Sequence, residues 1–268
     1  MVCFLEEMNN LILGTSFGYG PHQLEVFVKS LRKYSDSQAM LVVDSLSEEL
    51  TDFFSEYNIS TYLYPIDLTN VRAAEIFNIR HKCYRDILEY NFLDVERVFI
   101  SDVRDVLFQS DPFAHVTDTD LEFFLEPKQI KDCEFNSKKI KKLYGDRFLL
   151  EIGDKEICCA GTTIGTRAGI LKYLDEMLSE LNRLRIQNNM FADDQAVHNY
   201  LIYNNYFSNH KKYNTGFGPV STLHHLREGI FNEQGQVINI DGTVVPIVHQ
   251  WDRLSKDKQL ELYKIAVS

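Results

Sequence analysis

The chain has 268 residues and a formal net charge of −11, with 39 Asp and Glu residues against 28 Lys and Arg residues. This length fits one large domain or two small ones and is enough to bury a sizeable core. The acidic balance argues against a general binder of nucleic acid or of anionic membranes, because such proteins carry basic surface patches. A nucleotide remains compatible with it, since a bound divalent cation can supply the positive charge that the protein lacks.

The N-terminal segment and the cysteines predict a soluble, cytoplasmic protein. The first 14 residues carry two glutamates and no basic region, so they do not read as a secretory signal. No apolar run approaches the roughly 18–20 residues that a membrane span requires. The adjacent residues Cys158 and Cys159 lie in an apolar run and are interpreted as small core residues. The cysteines number five, an odd count without zinc-type CxxC spacing, which favours a reducing compartment: Cys3, Cys83, Cys133, Cys158 and Cys159.

The first half of the chain alternates predicted strands and helices. Strands are predicted over Leu11–Gly14, Ala39–Asp44, Ile59–Tyr64 and Arg97–Ser101, and helices over His22–Tyr34, Ser47–Tyr57 and Val71–Asn91. Such alternation is typical of βαβ units, so we predict an α/β fold with a mixed, mostly parallel central sheet flanked by helices. Ligands of these sheets bind at the carboxyl ends of the strands. Thr15–Tyr19 and the acids Asp102 and Asp105 each follow a strand, so we expect them to face one ligand.

The second half is less regular. Strands are predicted over Leu121–Glu126 and Glu156–Gly165, and helices over Ala168–Leu184 and Met190–Asn204. Asn205–Gly235 is expected to be largely loop and is long enough to form a substrate lid or an acceptor loop. His224 and His225 could shape this loop, but simple solvent exposure of both is the favoured expectation. Val237–Ile240 and Val244–Val248 predict a hairpin across the turn Asp241-Gly242. The chain contains no internal repeat and no low-complexity tract.

The most informative segment runs from Arg97 to Phe113, where an apolar strand is followed by Asp102-Val103-Arg104-Asp105. Two carboxylates at the ligand edge of a sheet can hold Mg²⁺ or Mn²⁺, which take oxygen ligands and leave room for substrate phosphates. The cation would neutralise a diphosphate leaving group. Two acids at a strand end also occur as solvated residues that cap the next turn, so the motif needs support from the rest of the chain.

This segment resembles the DxD region of GT-A glycosyltransferases, in which an apolar strand delivers the acids and an apolar run ending in Asp-Pro follows. By that spacing Asp105 matches the last aspartate of the motif. The first aspartate would fall on Val103, whereas the chain has Asp102 one residue earlier. The role of Asp102 is therefore open: it could bind the metal directly, bind it through water, or contact the ribose.

Further segments resemble the same family in the same order. Asn10–Arg32, with Thr15-Ser16-Phe17, is similar to the strand and loop that receive the nucleoside. Cys158–Gly165 resembles the small-residue strand that lines the sugar, and Ala192–Gln195 resembles the acid-plus-glutamine motif at a helix start. His249, after the last predicted strand, matches the third metal ligand of several GT-A families. Taken singly, each segment also has an ordinary structural explanation, such as an aspartate that caps a helix.

The resemblance implies a single GT-A catalytic domain over residues 1–268. Its nucleotide-binding half would span about residues 1–113 and its acceptor half about residues 114–268. The expected reaction transfers a sugar from a nucleotide diphosphate, expected to be a UDP-sugar such as UDP-xylose, to a hydroxyl of a glycan acceptor. The chain also resembles the glycosyltransferases of large algal viruses, which include a xylosyltransferase. The oligomeric state is open.

The resemblance also implies roles for individual residues. Asp105, Asp102 and His249 are expected to hold Mn²⁺ or Mg²⁺. Asp194, with Asp193 as the second choice, is expected to be the general base of an inverting reaction. A retaining reaction, in which the same acid stabilises the oxocarbenium-like sugar, stays open. Contacts with the nucleotide sugar are expected from Thr15, Ser16, Phe17, Arg80, Asp102, Gly161 and Thr162.

Two other classes of protein compete with this interpretation. A haloacid-dehalogenase-like phosphatase also places acids at a strand end, but its two acids are two residues apart and usually follow the first strand. Here the spacing of Asp102 and Asp105 is three and the strand is the fourth. The other alternative is a non-catalytic nucleotide- or sugar-binding protein of the same fold.

Overall fold

Three βαβ units build the first half of the molecule. The computed structural model describes residues 9–115, 117–188, 192–226 and 230–268, without the side chains of residues 73, 74 and 188. The elements in order are β1 (Asn10–Thr15), α1 (Pro21–Tyr34), β2 (Gln38–Val43), α2 (Glu48–Glu56), β3 (Ser60–Leu63), α3 (Ala73–Tyr90) and β4 (Arg97–Ser101). The predicted strands and helices of this half are all present, with ends that differ by at most two residues. Ser47 caps the N-terminus of α2, because its side chain accepts a hydrogen bond from the Leu50 amide.

The second half adds further strands and helices to this frame in a less regular order. Its elements are β5 (Val106–Phe108), β6 (Leu121–Gln129), α4 (Glu134–Ile152), β7 (Glu156–Thr166), α5 (Arg167–Asn188), α6 (Asp194–Tyr203), β8 (His210–Tyr213), β9 (Val220–Thr222), β10 (Ile247–His249) and α7 (Lys256–Val267). Helix α6 begins at Asp194, and the predicted helix start at Met190 lies outside the described residues. The helices α4 and α7 were not predicted, and β8 and β9 interrupt the stretch predicted as loop.

The central sheet has the strand order β3-β2-β1-β4-β7-β6-β8. Strands β1 to β4 pair in parallel, but β7 runs antiparallel to both β4 and β6. The prediction of a mostly parallel sheet is therefore wrong, and the sheet is mixed. The reason is that β6 and β7 form an antiparallel pair connected by α4. Hydrogen bonds from Ile130 N to Lys155 O and from Lys131 N to Gly153 O join the two ends of this connection.

Both faces of the sheet are buried, as parallel strands between helices require. Leu11 and Leu13 of β1 belong to a core that includes side chains of α3 and α5, such as Tyr84 and Leu174. Ile12, between them, belongs to a second core with side chains of α1, such as Phe27. This alternation along β1 is the two-residue period of a strand. The parallel register of β1 with β4 sets the carboxyl ends of the two strands side by side.

A second, three-stranded sheet has the order β5-β10-β9, with β10 antiparallel to β5 and parallel to β9. The predicted turn at Asp241-Gly242 forms, since Gly242 N donates to Asn239 O, and its flanks meet in a single bridge between Ile238 and Val244. The predicted hairpin therefore forms only next to this turn, where Val245 N donates to Val237 O, because Ile247–His249 pairs with β5 and β9 instead. The register sets His249 opposite Val106, directly after the acidic motif.

Cys158 and Cys159 are buried, as predicted for core residues, and neither forms a disulfide. Cys83 and Cys133 are also buried free thiols, whereas Cys3 and the rest of the N-terminal segment 1–8 lie outside the described residues. Within the described residues, no helix combines the length and the apolar character that crossing a membrane requires.

Candidate metal centre

Three predicted ligands converge at the carboxyl end of β4. Asp102 follows this strand, and its amide donates to Gly161 O of the neighbouring β7 at 2.7 Å. Asp105 precedes β5, and its carbonyl accepts from Gln250 N at 2.7 Å. Because Gln250 has a left-handed backbone conformation (φ 57°), the chain turns sharply after His249 and keeps that imidazole beside the two acids. One ligand atom from each of the three side chains lies within 4.8 Å of the other two.

The chemistry of this triad fits a divalent cation. His249 Nε2 lies 3.7 Å from Asp102 Oδ2 and 3.8 Å from Asp105 Oδ1, which is too long for a hydrogen bond. It is buried and has no hydrogen-bond partner among the described residues, although such atoms are normally satisfied. A cation with imidazole and carboxylate ligands at about 2.0–2.2 Å would satisfy it. The other ring nitrogen, Nδ1, faces Cys159 Sγ and Thr222 Oγ1 at 3.5 Å each.

Gly161 leaves the space that such a cation needs. A Cβ at this position would lie 2.5 Å from His249 Cε1 and 2.6 Å from Asp102 Oδ2. Atoms this close cannot be accommodated, so a residue without a side chain is required here for the present arrangement of the acid and the imidazole. The sequence resemblance predicted Gly161 as a sugar contact, and the geometry adds a direct relation to the metal centre.

Arg80 links the triad to the predicted catalytic acid. Its Nη1 donates to Asp102 Oδ1 at 2.8 Å, and its Nη2 donates to Asp194 Oδ2. Desolvation opposes ionisation of Asp102, but the charge of Arg80 and the contact with His249 outweigh it and lower the pKa of Asp102 to about 2. Burial raises the pKa of Asp105, an effect that His249 opposes and Asp102 reinforces. Arg80, predicted to contact the nucleotide sugar, thus holds two acids on one guanidinium.

Helix α6 is fixed against β7 by amide side chains that bond to the strand backbone. Gln195 accepts from Ala160 N at 2.9 Å and donates to Cys158 O, and Asn199 bonds both backbone groups of Cys158. These bonds lie where the register of β6 and β7 shifts, so they satisfy backbone groups that the ladder leaves free. Asp194, the first residue of α6, is 3% exposed as a result. Its neighbour Asp193 pairs with Lys139.

Two cavities meet at the triad. The smaller, of about 330 Å³, is lined by Thr15, Phe17, Tyr19 and Ile76 of the β1 and α3 side. The larger, of about 530 Å³, is lined by Gly161 and by residues of α6, β6 and the segment after β9. Side chains that line both cavities are Phe77, Arg80, Asp102 and Asp105. A ligand that spans the triad could therefore place chemically different parts on its two sides.

Two residues predicted to contact the nucleotide sugar, Ser16 and Thr162, do not line either of these cavities. Ser16 is buried, and its hydroxyl donates to Val42 O, so Thr15 and Phe17 are the members of that segment on the cavity wall. Thr162 is fully buried in β7, and its hydroxyl has no partner among the described residues. Thr15 itself donates to Tyr84 Oη at 2.8 Å.

The structure also assembles groups that sequence reasoning missed. Asp252 lies 3.4 Å from both Arg104 and Arg253, which line the smaller and the larger cavity respectively. Glu126 of β6 lies beside His225 in the larger cavity. The predicted strand Leu121–Glu126 carries two glutamates, Glu122 and Glu126, but the partner of Glu126 is 99 residues away and could not be found from spacing.

Comparison with known proteins does not assign the chain to a family: neither a scan against protein-family models nor a search of curated proteins gave a match. The fold and the site define the chain as an α/β protein with a mixed seven-stranded sheet, flanked by helices. At the sheet's carboxyl edge it has a candidate Asp-Asp-His metal centre.

Proposed function

We propose that the chain is a metal-dependent glycosyltransferase that moves a sugar from a nucleotide diphosphate to a hydroxyl of a glycan acceptor. The observation that carries this proposal is the position of the Asp102, Asp105 and His249 triad at the junction of two cavities. A sugar nucleotide has the matching layout, because its diphosphate separates the nucleoside from the sugar. A metal bound here would neutralise the diphosphate as it leaves.

The smaller cavity suits a nucleoside. Phe17 and Tyr19 supply aromatic surface. A nucleobase of any identity can stack on such a surface through its π-face. Thr15 supplies a hydroxyl for the ribose. A UDP-linked donor, with UDP-xylose among the candidates, and Mn²⁺ or Mg²⁺ as the cation remain part of the proposal.

Asp194 is the proposed catalytic acid in the larger cavity. Its Oδ2 accepts from Arg80, which leaves Oδ1 as the oxygen that could take the proton of the acceptor hydroxyl in an inverting reaction. The same contact also suits the retaining alternative, because a carboxylate held by Arg80 is a fixed charge beside the sugar. The configuration of the product at its anomeric carbon, measured by NMR, separates the two reactions.

The test begins with thermal-shift and calorimetric screening of UDP- and GDP-sugars, with and without Mn²⁺. Stabilisation by at least one donor that depends on Mn²⁺ supports the proposal, and no stabilisation by any of them would refute it. The variant Asp194→Asn is expected to keep nucleotide binding and to lose about 10²–10⁴-fold in turnover, the usual contribution of general acid–base catalysis. A non-catalytic binding protein would be little changed by this substitution.

Asp175→Asn is the matched control, because Asp175 is a half-exposed acid on α5 that pairs with Arg85 and touches neither cavity. We expect unchanged turnover for this variant. Release of inorganic phosphate from sugar phosphates by the wild-type chain, without sugar transfer, would instead favour the phosphatase alternative.

A further inference from the structure

A buried carboxylate lies in the larger cavity apart from the metal triad. Glu126, on β6, is 5% exposed, and its Oε2 lies 3.2 Å from His225 Nε2. The preceding residue, Leu125, faces the other side of the sheet and packs in the core with Cys158. Because burying a carboxylate is costly even when it is paired, the position of Glu126 on a cavity wall requires an explanation.

A second buried polar group faces the same cavity. Asn136, near the start of α4, is 6% exposed, and its Nδ2 contacts Cys133 Sγ at 3.3 Å. Its Oδ1 is buried and has no hydrogen-bond partner within the described parts of the chain. An amide oxygen in this state lacks a donor, and a ligand in the cavity could supply one.

A purely structural role for Glu126 and His225 is poorly supported. The pair could hold the segment after β9 on the sheet, but that segment is already attached by its backbone. Leu223 N donates to His249 O at 3.0 Å, and β9 pairs with β10 in register. Among the described residues, the group that could hold a metal contains only Asp102, Asp105 and His249, so the pair is not part of that centre either.

We propose that Glu126, His225 and Asn136 bind hydroxyl groups of the acceptor sugar next to the hydroxyl that is glycosylated, an inference that rests on the proposed glycosyltransferase function. The carboxylate accepts hydrogen bonds from hydroxyls, the amide oxygen needs a donor, and the imidazole can take either role. A neutral polyhydroxylated ligand meets all three requirements. A further phosphate does not, because Glu126 would repel it. Buried polar groups of this kind discriminate strongly against ligands that lack the matching hydroxyl.

The experiment compares transfer with donor hydrolysis. The wild-type chain with Mn²⁺ is assayed with a panel of UDP-sugars as donors, and with methyl glycosides of the common sugars and their monodeoxy analogues as acceptors. Glu126→Gln keeps the shape of the side chain and removes its charge. It is expected to raise the acceptor KM by about ten-fold or more, because a hydrogen bond to a charged group is lost. The affinity for UDP with Mn²⁺ and the rate of donor hydrolysis should stay within about two-fold.

Glu122→Gln is the matched control. Glu122 is a buried glutamate on the same strand that pairs with Arg97 and lines neither of the two cavities. The Glu122→Gln substitution should lower the free energy of unfolding and leave the ratio of sugar transfer to donor hydrolysis unchanged. The deoxy analogue that lacks the hydroxyl bound by Glu126 should be a poor acceptor for the wild type. With this analogue, Glu126→Gln should cause little further loss of transfer. A structural role of Glu126 would not produce this pattern.

Three results would overturn the proposal. Equal losses of transfer and hydrolysis with Glu126→Gln would make Glu126 structural. An unchanged acceptor KM would mean that Glu126 does not contact the acceptor. If the wild type binds no UDP- or GDP-sugar with Mn²⁺, the proposed function fails and this inference fails with it, whereas intact donor binding with either of the first two results overturns the acceptor site alone.

Discussion

Gly161 lies on β7 where any side chain would enter the candidate metal centre. The Cβ of Gly161→Ala would lie 2.5 Å from His249 Cε1 and 2.6 Å from Asp102 Oδ2. Because carbon atoms in ordinary contact are about 3.5–4.0 Å apart, the imidazole must retreat by about 1 Å. Metal sites tolerate deviations of only about 0.2 Å in their ligand distances. The substitution should therefore displace two of the three ligands beyond what a bound cation accepts.

The expected loss of Mn²⁺ affinity is about 10–100-fold, comparable with that from disturbing the groups that orient metal ligands. This corresponds to about 1.4–2.7 kcal/mol of binding free energy. The same overpacking should lower the free energy of unfolding by about 1–3 kcal/mol. Isothermal titration with Mn²⁺ and urea unfolding of the same preparation measure the two effects separately.

Gly165→Ala on the same strand is the control. Its Cβ would lie 2.4 Å from Asp120 O, so it also strains the fold, but it lies about 13 Å along β7 from Gly161. We expect it to destabilise the protein without changing the affinity for Mn²⁺. If Gly161→Ala binds Mn²⁺ as tightly as the wild type, the triad does not hold the metal and the reasoning is wrong.

Three further predictions concern single side chains. Asp105→Asn should lower Mn²⁺ affinity by at least about ten-fold in titration calorimetry, since the amide is a weaker ligand than the carboxylate; equal binding would exclude Asp105 as a ligand. Arg80→Met should lower the free energy of unfolding by about 3 kcal/mol, because it leaves Asp102 and Asp194 without their cation; added Mn²⁺ should restore part of the loss in urea unfolding. His198 is buried, and burial lowers its pKa to about 3. Below about pH 6.5 the unfolded chain therefore takes up a proton that the native state excludes, and stability falls by about 1.4 kcal/mol per pH unit toward pH 3. His198→Gln should reduce the pH slope of the unfolding free energy between pH 6 and 4.5 by that amount, and an unchanged slope would contradict a neutral buried imidazole.

The first half of the fold was predictable because each element carries its own local signal. β4 is a run of buried residues with ends that match the prediction, and Ser47 marks the start of α2. The direction of β7 was not predictable from such signals. It depends on α4, whose apolar residues are spread over all faces of the helix instead of forming one apolar face. This helix also has a kink at Gly145 (φ 84°). A helix without a clear apolar face gives no periodic pattern to read.

The candidate site also contains residues that local sequence signals reveal and residues that they do not. Asp102 and Asp105 follow a strand, and strand ends can be located from sequence, whereas His249 was predicted only through the family resemblance. Gly161 was predicted for a different reason from the one the geometry gives. The pair Glu126 and His225 depends on a contact across 99 residues, and no local pattern encodes such a contact.

The geometry also bears on the open role of Asp102. Arg80 binds its Oδ1, while its Oδ2 is the oxygen that lies 3.7 Å from His249 Nε2. The two oxygens therefore have separate tasks, one toward the guanidinium and one toward the triad. This division supports direct metal binding over a contact with the ribose, because a ribose ligand would need the oxygen that already faces the other two ligands. Arg80 thus fixes one carboxylate oxygen of Asp102 and leaves the other facing His249, so the earlier position of this aspartate in the sequence does not remove it from the candidate metal centre.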